Sequence, residues 1–284
     1  MRLANIDGRL VVRAPDGPVD VAEASAGRFG PAPQTVYAQW DAFTVWAGEK
    51  GLGGPAPAAP PATDGAVWGA PSPHPAQVFA IGLNYRDHAA ESGFGEPDSA
   101  TVFTKFATSV TGHDTPVALP EGKVDWEAEL VVVIGRHCHR AAREEAWSYV
   151  AGLTVGQDLS ERELQLAGPA PQFSLGKSYP GFAPTGPELV TPDEFADPDD
   201  LEIACALESG DVLQKSRTSN MIFGVPELIA QLSAVCPLLP GDLIFTGTPA
   251  GVGMARTPQR FLSPGDVLLT TVEGIGTLRT PLTA

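Results

Sequence analysis

Asp125-Trp126-Glu127-Ala128-Glu129-Leu130-Val131-Val132-Val133-Ile134-Gly135 is the stretch from which the rest of the chain is read. Its β-branched, apolar second half predicts a strand. Side chains alternate faces along a strand, so residues 127 and 129 project to the same side. Two carboxylates that close repel each other unless a proton or a metal ion lies between them. The strand holds no Lys or Arg to relieve the repulsion, so a hard divalent cation is the economical explanation. The competing reading is a solvated strand face with alternating charge, which leaves the flanking segments unexplained. Asp125 shares the parity of the pair but sits at the turn end, where it serves the turn or supports the site from behind.

The 284 residues suffice for a large core and one or two domains. With 43% hydrophobic and 7% aromatic residues the composition is that of a globular protein. Acidic residues outnumber basic ones 34 to 18, and a net charge of −16 argues against nucleic acid or an anionic membrane as partner. Cys138, Cys205 and Cys236 are widely spaced and form no CxxC pair, so neither a disulfide framework nor a thiolate zinc site is expected. The N-terminal residues lack an apolar targeting segment, and no run approaches the roughly 18 apolar residues of a membrane span. A cytoplasmic protein is the expectation.

The Gly/Pro/Ala-rich stretch 53–62 reads as a linker between a small N-terminal α/β unit (1–70) and a larger unit (71–284). The small unit opens with two strands, 3–6 and 10–13, around Asp7-Gly8, and helical spacing of Val36, Trp40, Phe43 and Ala47 predicts one helix over 35–50. The larger unit has strand patterns at 78–81, 101–106, 127–134, 153–155, 201–207, 212–214, 243–246 and 267–272. Residues 225–235, with Pro226 in the first turn, form its best helix. Strands and helices do not alternate as βαβ units, so the fold class is α+β and mainly β.

Asp158 closes the apolar run 150–155 and is the candidate third metal ligand, because magnesium and manganese prefer several oxygens. His88 and Glu91, three apart in a helical turn over 86–91, face each other. A carboxylate on one imidazole nitrogen fixes the tautomer and raises the basicity of the other. Taken by spacing alone, a surface pair is the stronger explanation of the two residues. Lysine is scarce, and Lys177, with Arg162 four residues beyond Asp158, offsets the charge of three carboxylates. The glycine-rich segment 246–253 lacks the Lys and spacing of a P-loop; it is a source of backbone N–H groups for a carboxylate or a plain turn. His137 and His139 flank Cys138 in what reads as a solvated loop.

Six segments, IGLNYRDHAAE (81–91), TVFTKFATSVTG (101–112), VDWEAELVVVIG (124–135), GQDLSERELQ (156–165), FSLGKSYPGFAPTGP (173–187) and GDLIFTGTPAGVG (241–253), together resemble the fumarylacetoacetate hydrolase family over roughly residues 76–284. The resemblance implies a mixed β-sandwich roll around a Mg2+ or Mn2+ site, in a homodimer. By position it makes Glu127, Glu129 and Asp158 the metal ligands, His88 and Glu91 the catalytic pair, and Lys177 the active-site lysine. Lys105, Arg162, Gln165 and Thr248 match positions that line or support the substrate pocket. One departure stands out: residues 166–173 read Leu-Ala-Gly-Pro-Ala-Pro-Gln-Phe, where many relatives have a more charged segment.

The expected ligand is a small 2-oxo or 2,4-dioxo acid. The expected activity is C–C bond hydrolysis of an acylpyruvate or related acid, through an enolate stabilised by the ion. Decarboxylation of an oxaloacetate-like acid and isomerisation of an unsaturated dioate use the same enolate and remain alternatives. A non-catalytic metal- or ligand-binding protein is the reading from a different class.

Overall fold

The computed structural model describes residues 1–54, 65–91 and 95–284. The stretch read as a linker falls mostly outside them. In chain order, β1 (Arg2–Ile6), β2 (Arg9–Ala14) and β3 (Gly17–Asp20) precede α1 (Val21–Ala24), α2 (Gln34–Tyr37) and α3 (Trp40–Glu49). β4 (Trp68–Gly69) and β5 (Val78–Gly82) lead to α4 (Arg86–Glu91), β6 (Thr101–Thr104), β7 (Val110–Thr111), β8 (Val117–Ala118), β9 (Val124–Asp125) and β10 (Ala128–Ile134). Then come β11 (Val150–Gln157), β12 (Ser160–Glu161), α5 (Arg162–Gln165), β13 (Ala183–Val190), β14 (Glu202–Leu207), β15 (Val212–Arg217) and α6 (Val225–Val235). β16 (Leu243–Phe245), β17 (Val267–Val272) and β18 (Gly276–Thr283) close the chain.

One sheet of 11 strands has the order β3-β2-β1-β13-β11-β10-β16-β5-β6, with β4 and β7 on branches. A five-stranded sheet, β15-β14-β17-β18-β8, packs across it. Alternation along β10 decides what lies where. Leu130 and Val132 enter the core shared with Ile203, Cys205 and Leu268 of the second sheet. Val131 and Val133 face the other way, into the core made with Trp40, Phe43 and Phe245. The fold is α+β and mainly β, as the strand count of the sequence predicts.

Three local readings are corrected. The helix over 35–50 is two helices, because Gln39 leaves the helical region (φ −129°) between them. Tyr37 and Trp40 then stack at 5.8 Å, and the Tyr37 hydroxyl donates to the Pro71 carbonyl (3.0 Å). The N-terminal pair of strands is a three-stranded ribbon, and β1 pairs with β13. The central strand β13 has no counterpart in the sequence reading. It contains Pro184, Gly186 and Pro187, residues that argue against a strand interior, and an irregularity in its pairing with β11 accommodates them. His137 and His139 are exposed on either side of buried Cys138.

Candidate active site

The acidic pair follows from strand geometry. Glu127, the residue before β10, and Glu129 within it have the parity of Val131, and the Asp158 amide donates to the Glu127 carbonyl (2.9 Å) where β11 ends. Ligand oxygens of Glu127, Glu129 and Asp158 lie within 4.8 Å of one another. All three side chains are buried.

Cations hold two of the three. Lys177 Nζ donates to Glu127 Oε2 (2.8 Å), Asp158 Oδ2 (2.7 Å) and Ser160 Oγ (2.8 Å). Lys105 Nζ donates to Asp158 Oδ1 (2.5 Å) and to the Lys177 carbonyl. Arg162 Nη2 lies 2.7 Å from Glu127 Oε1. Burial opposes ionisation of Glu127, but Lys177 and Arg162 outweigh it and hold its carboxyl down to about 2. Burial works against the charge of Lys177 too, and Asp158 and Glu127 overcome it, so its ammonium persists. Lys105 is lowered, chiefly by burial.

Glu129 differs. Its recorded hydrogen bond comes from the Gly247 amide (2.8 Å), and among the described residues no ammonium or guanidinium contacts it. Burial, then Asp158 and Glu127, push its carboxyl well above the usual range. A buried carboxylate in that position needs a proton or an added cation. The all-oxygen donor set and the unmet charge at Glu129 fit a hard divalent cation.

The candidate base lies on α4. His88 Nδ1 lies 2.7 Å from Glu91 Oε1, and the Glu91 carboxylate also accepts the Gly251 amide (3.0 and 3.1 Å). Asn84 anchors the start of α4 by donating to the Phe223 and Thr246 carbonyls (2.9 and 2.7 Å). The N–H groups of the glycine-rich segment thus serve the protein's own carboxylates, Glu129 from Gly247 and Glu91 from Gly251.

A cavity of about 410 Å³ joins these groups. Of the ten residues singled out in the sequence, His88, Glu91, Glu127, Arg162, Gln165, Lys177 and Thr248 line it; Glu129, Asp158 and Lys105 do not. Lys105 is fully buried, so it supports the carboxylates from behind rather than lining the pocket. Arg162 is fixed by Asp125 Oδ1 (2.6 Å from Nε) and Gln165 Oε1 (2.8 Å from Nη1). Asp125 Oδ2 also accepts the Met254 amide (2.8 Å), which identifies its supporting role. The sequence reading does not find Ser160, or Gln214 on β15. Gln214 donates to Thr248 Oγ1 (2.8 Å) and accepts the Ala128 amide (2.9 Å). Nothing in local spacing signals contacts across 34 and 86 residues.

The family model described as fumarylacetoacetate (FAA) hydrolase C-terminal matches residues 77–283. The chain belongs to the fumarylacetoacetate hydrolase family. Within it, the chain is 41% identical over 215 residues to oxaloacetate tautomerase fahd2, mitochondrial, of Xenopus laevis, covering 75% of this chain and 67% of that protein. Among solved structures, a Mycobacterium smegmatis protein provisionally called HpcE is 56% identical with a TM-score of 0.92, over 100% of this chain and 99% of that one. The maleylpyruvate hydrolase of Sphingobium sp. SYK-6, solved with manganese (II) and pyruvate, is 27% identical with a TM-score of 0.80, over 100% and 99% of the two chains. The Xenopus laevis and Sphingobium proteins are named for different reactions on oxo acids, so membership by itself leaves the reaction open.

Proposed function

We propose that this protein is a divalent-metal-dependent C–C bond hydrolase acting on an acylpyruvate or related 2,4-dioxo acid. The observation that supports it is the His88–Glu91 pair lining the same cavity as Glu127 and Lys177. Glu127, Glu129 and Asp158 would hold Mg2+ or Mn2+, and the ion would supply Lewis acidity toward the carboxylate and keto oxygens of the acid.

The residues of the chain do the rest. With Nδ1–H donating to Glu91, His88 Nε2 keeps the lone pair that takes a proton from water. The water oxygen adds to the distal carbonyl carbon. The bond from that carbon to the central methylene then breaks, and its electron pair leaves as the enolate of pyruvate. The proton on His88 returns to the methylene carbon, so one water is consumed and a carboxylic acid and pyruvate are released. Lys177 and Arg162 keep Glu127 ionised throughout. Thr248 and Gln165 line the cavity as polar contacts for the acid.

A second reading uses the same base without water, to move a proton between carbon and oxygen of a 2-oxo acid. The name of the Xenopus laevis relative favours it. Loss of CO2 from an oxaloacetate-like acid is the third use of the same charge. A panel of acylpyruvates, oxaloacetate and unsaturated 2-oxo dioates, with Mg2+ and with Mn2+, separates them when ultraviolet loss, CO2 and acid products are followed together. His88→Ala is expected to reduce acylpyruvate hydrolysis by about 10²–10⁴-fold. Full hydrolysis in that variant, or none in the wild type alongside rapid ketonisation, would reject the hydrolase. The proposal also includes a homodimer in the cytoplasm; among the described residues no helix is long and apolar enough to cross a membrane.

A further inference from the structure

We propose that the cavity end formed by segment 166–173 and the turn at 252–255 receives an uncharged hydrocarbon tail, so that the acid bound here is a monocarboxylate rather than a dioate. This inference rests on the reading of the carboxylate triad as the end that takes the 2-oxo acid group.

The segment 166–173 contains no charged residue, and its two ends, Leu166 and Phe173, both line the cavity. Leu83, Val252 and Met254 continue the apolar wall. Phe173 is braced edge-on against Phe103, with ring centroids 5.7 Å apart, and the next residue is tied down where Gln172 Oε1 accepts the Ser174 amide (2.9 Å). Leu83 lines the cavity from a left-handed backbone (φ 55°), a conformation uncommon for a bulky side chain and characteristic of functional sites.

Among the described residues, the cavity is lined by two permanent cations, Arg162 and Lys177, and both are already engaged. The three ammonium protons of Lys177 match its three acceptors, Glu127, Asp158 and Ser160. Arg162 hydrogen-bonds Asp125 and Gln165 through Nε and Nη1, and its Nη2, which makes no hydrogen bond among the described residues, is neutralised at ion-pair distance by Asp125 and Glu127. His88 is committed to Glu91. A second carboxylate at the apolar end would lose its hydration and, among the described residues, find no uncompensated cation, whereas each methylene there gains from leaving water.

The test is calorimetric titration of the full chain in Mg2+ with pyruvate, 2-oxopentanoate, 2-oxohexanoate and 2-oxooctanoate, against the equal-length dioates 2-oxoglutarate and 2-oxoadipate. Affinity is expected to rise about fourfold per methylene until the wall is filled. Each dioate should bind at least about tenfold more weakly than its monocarboxylate partner, since charge burial without a partner is strongly opposed. Leu166→Arg or Phe173→Arg should move the ratio toward the dioate. Affinity that is flat with chain length, or 2-oxoadipate binding as tightly as 2-oxohexanoate, overturns the inference. Because binding alone is read, absent acylpyruvate turnover with the monocarboxylate preference intact would remove the hydrolase and leave the inference standing.

Discussion

At the scale of single residues, Lys177 is the hinge of the site's charge balance. It lies between two buried carboxylates, and Lys177→Met leaves Glu127 and Asp158 short of a cation while adding no polar replacement. Breaking buried ion pairs costs on the order of 3–5 kcal/mol. Urea unfolding in chelator should therefore show a loss of that size, part of it restored by Mg2+; an unchanged midpoint would mean that these contacts carry little weight. Much of this was legible beforehand. Period-two alternation placed Glu127 and Glu129 together, and the end of an apolar run marked Asp158 as the candidate third ligand. The groups that position the two cations were not: Ser160 accepts from Lys177 across 17 residues, and Asp125 accepts from Arg162 across 37, distances at which sequence spacing carries no geometric information.

At the scale of elements, His113 ties the stretch after β7 to β18. Its Nδ1 accepts the Arg279 amide (3.1 Å), which a protonated ring cannot do. Burial lowers its pKa, and the opposing pull of Asp114 is smaller. Just below the ordinary histidine value near ~6.5, the unfolded chain then binds more protons than the folded one. The stability that His113 contributes is present above that pH and lost as pH falls toward the folded value. Thermal midpoints measured downward from pH ~7.5 should fall, and His113→Asn, which keeps an acceptor, should flatten the decline. An identical slope in the variant would assign it to other groups. Elements whose patterns were purely local, such as α6 with buried Val225, Leu228, Ile229 and Leu232, were readable in advance. β13 was not, because long-range pairing with β1 and β11 overrides the turn preference of Pro184, Gly186 and Pro187.

At the scale of the whole molecule, the metal and the sheets bear on the same stability. Mg2+ at ~100 times its Kd should add ~2.7 kcal/mol to the folded state if the triad binds it. Asp158→Asn should shrink that gain, as read by thermal unfolding with Mg2+ and with chelator; an equal gain in the variant would place the ion elsewhere. Gln214 carries the second sheet's position to Thr248 and Ala128, and Arg2 and Arg13 clamp the N-terminal ribbon to Glu188 of β13 (2.7 and 2.5 Å). β1 is bonded along β13, β13 along β11, and β11 ends at the residue before Asp158. Backbone amides from Leu3 to Gln157 are therefore expected to open together, and deuterium uptake at the first strand should slow when an ion is gripped two to three strands away. Early, ion-insensitive uptake confined to the ribbon would instead mark it as a lobe that melts by itself.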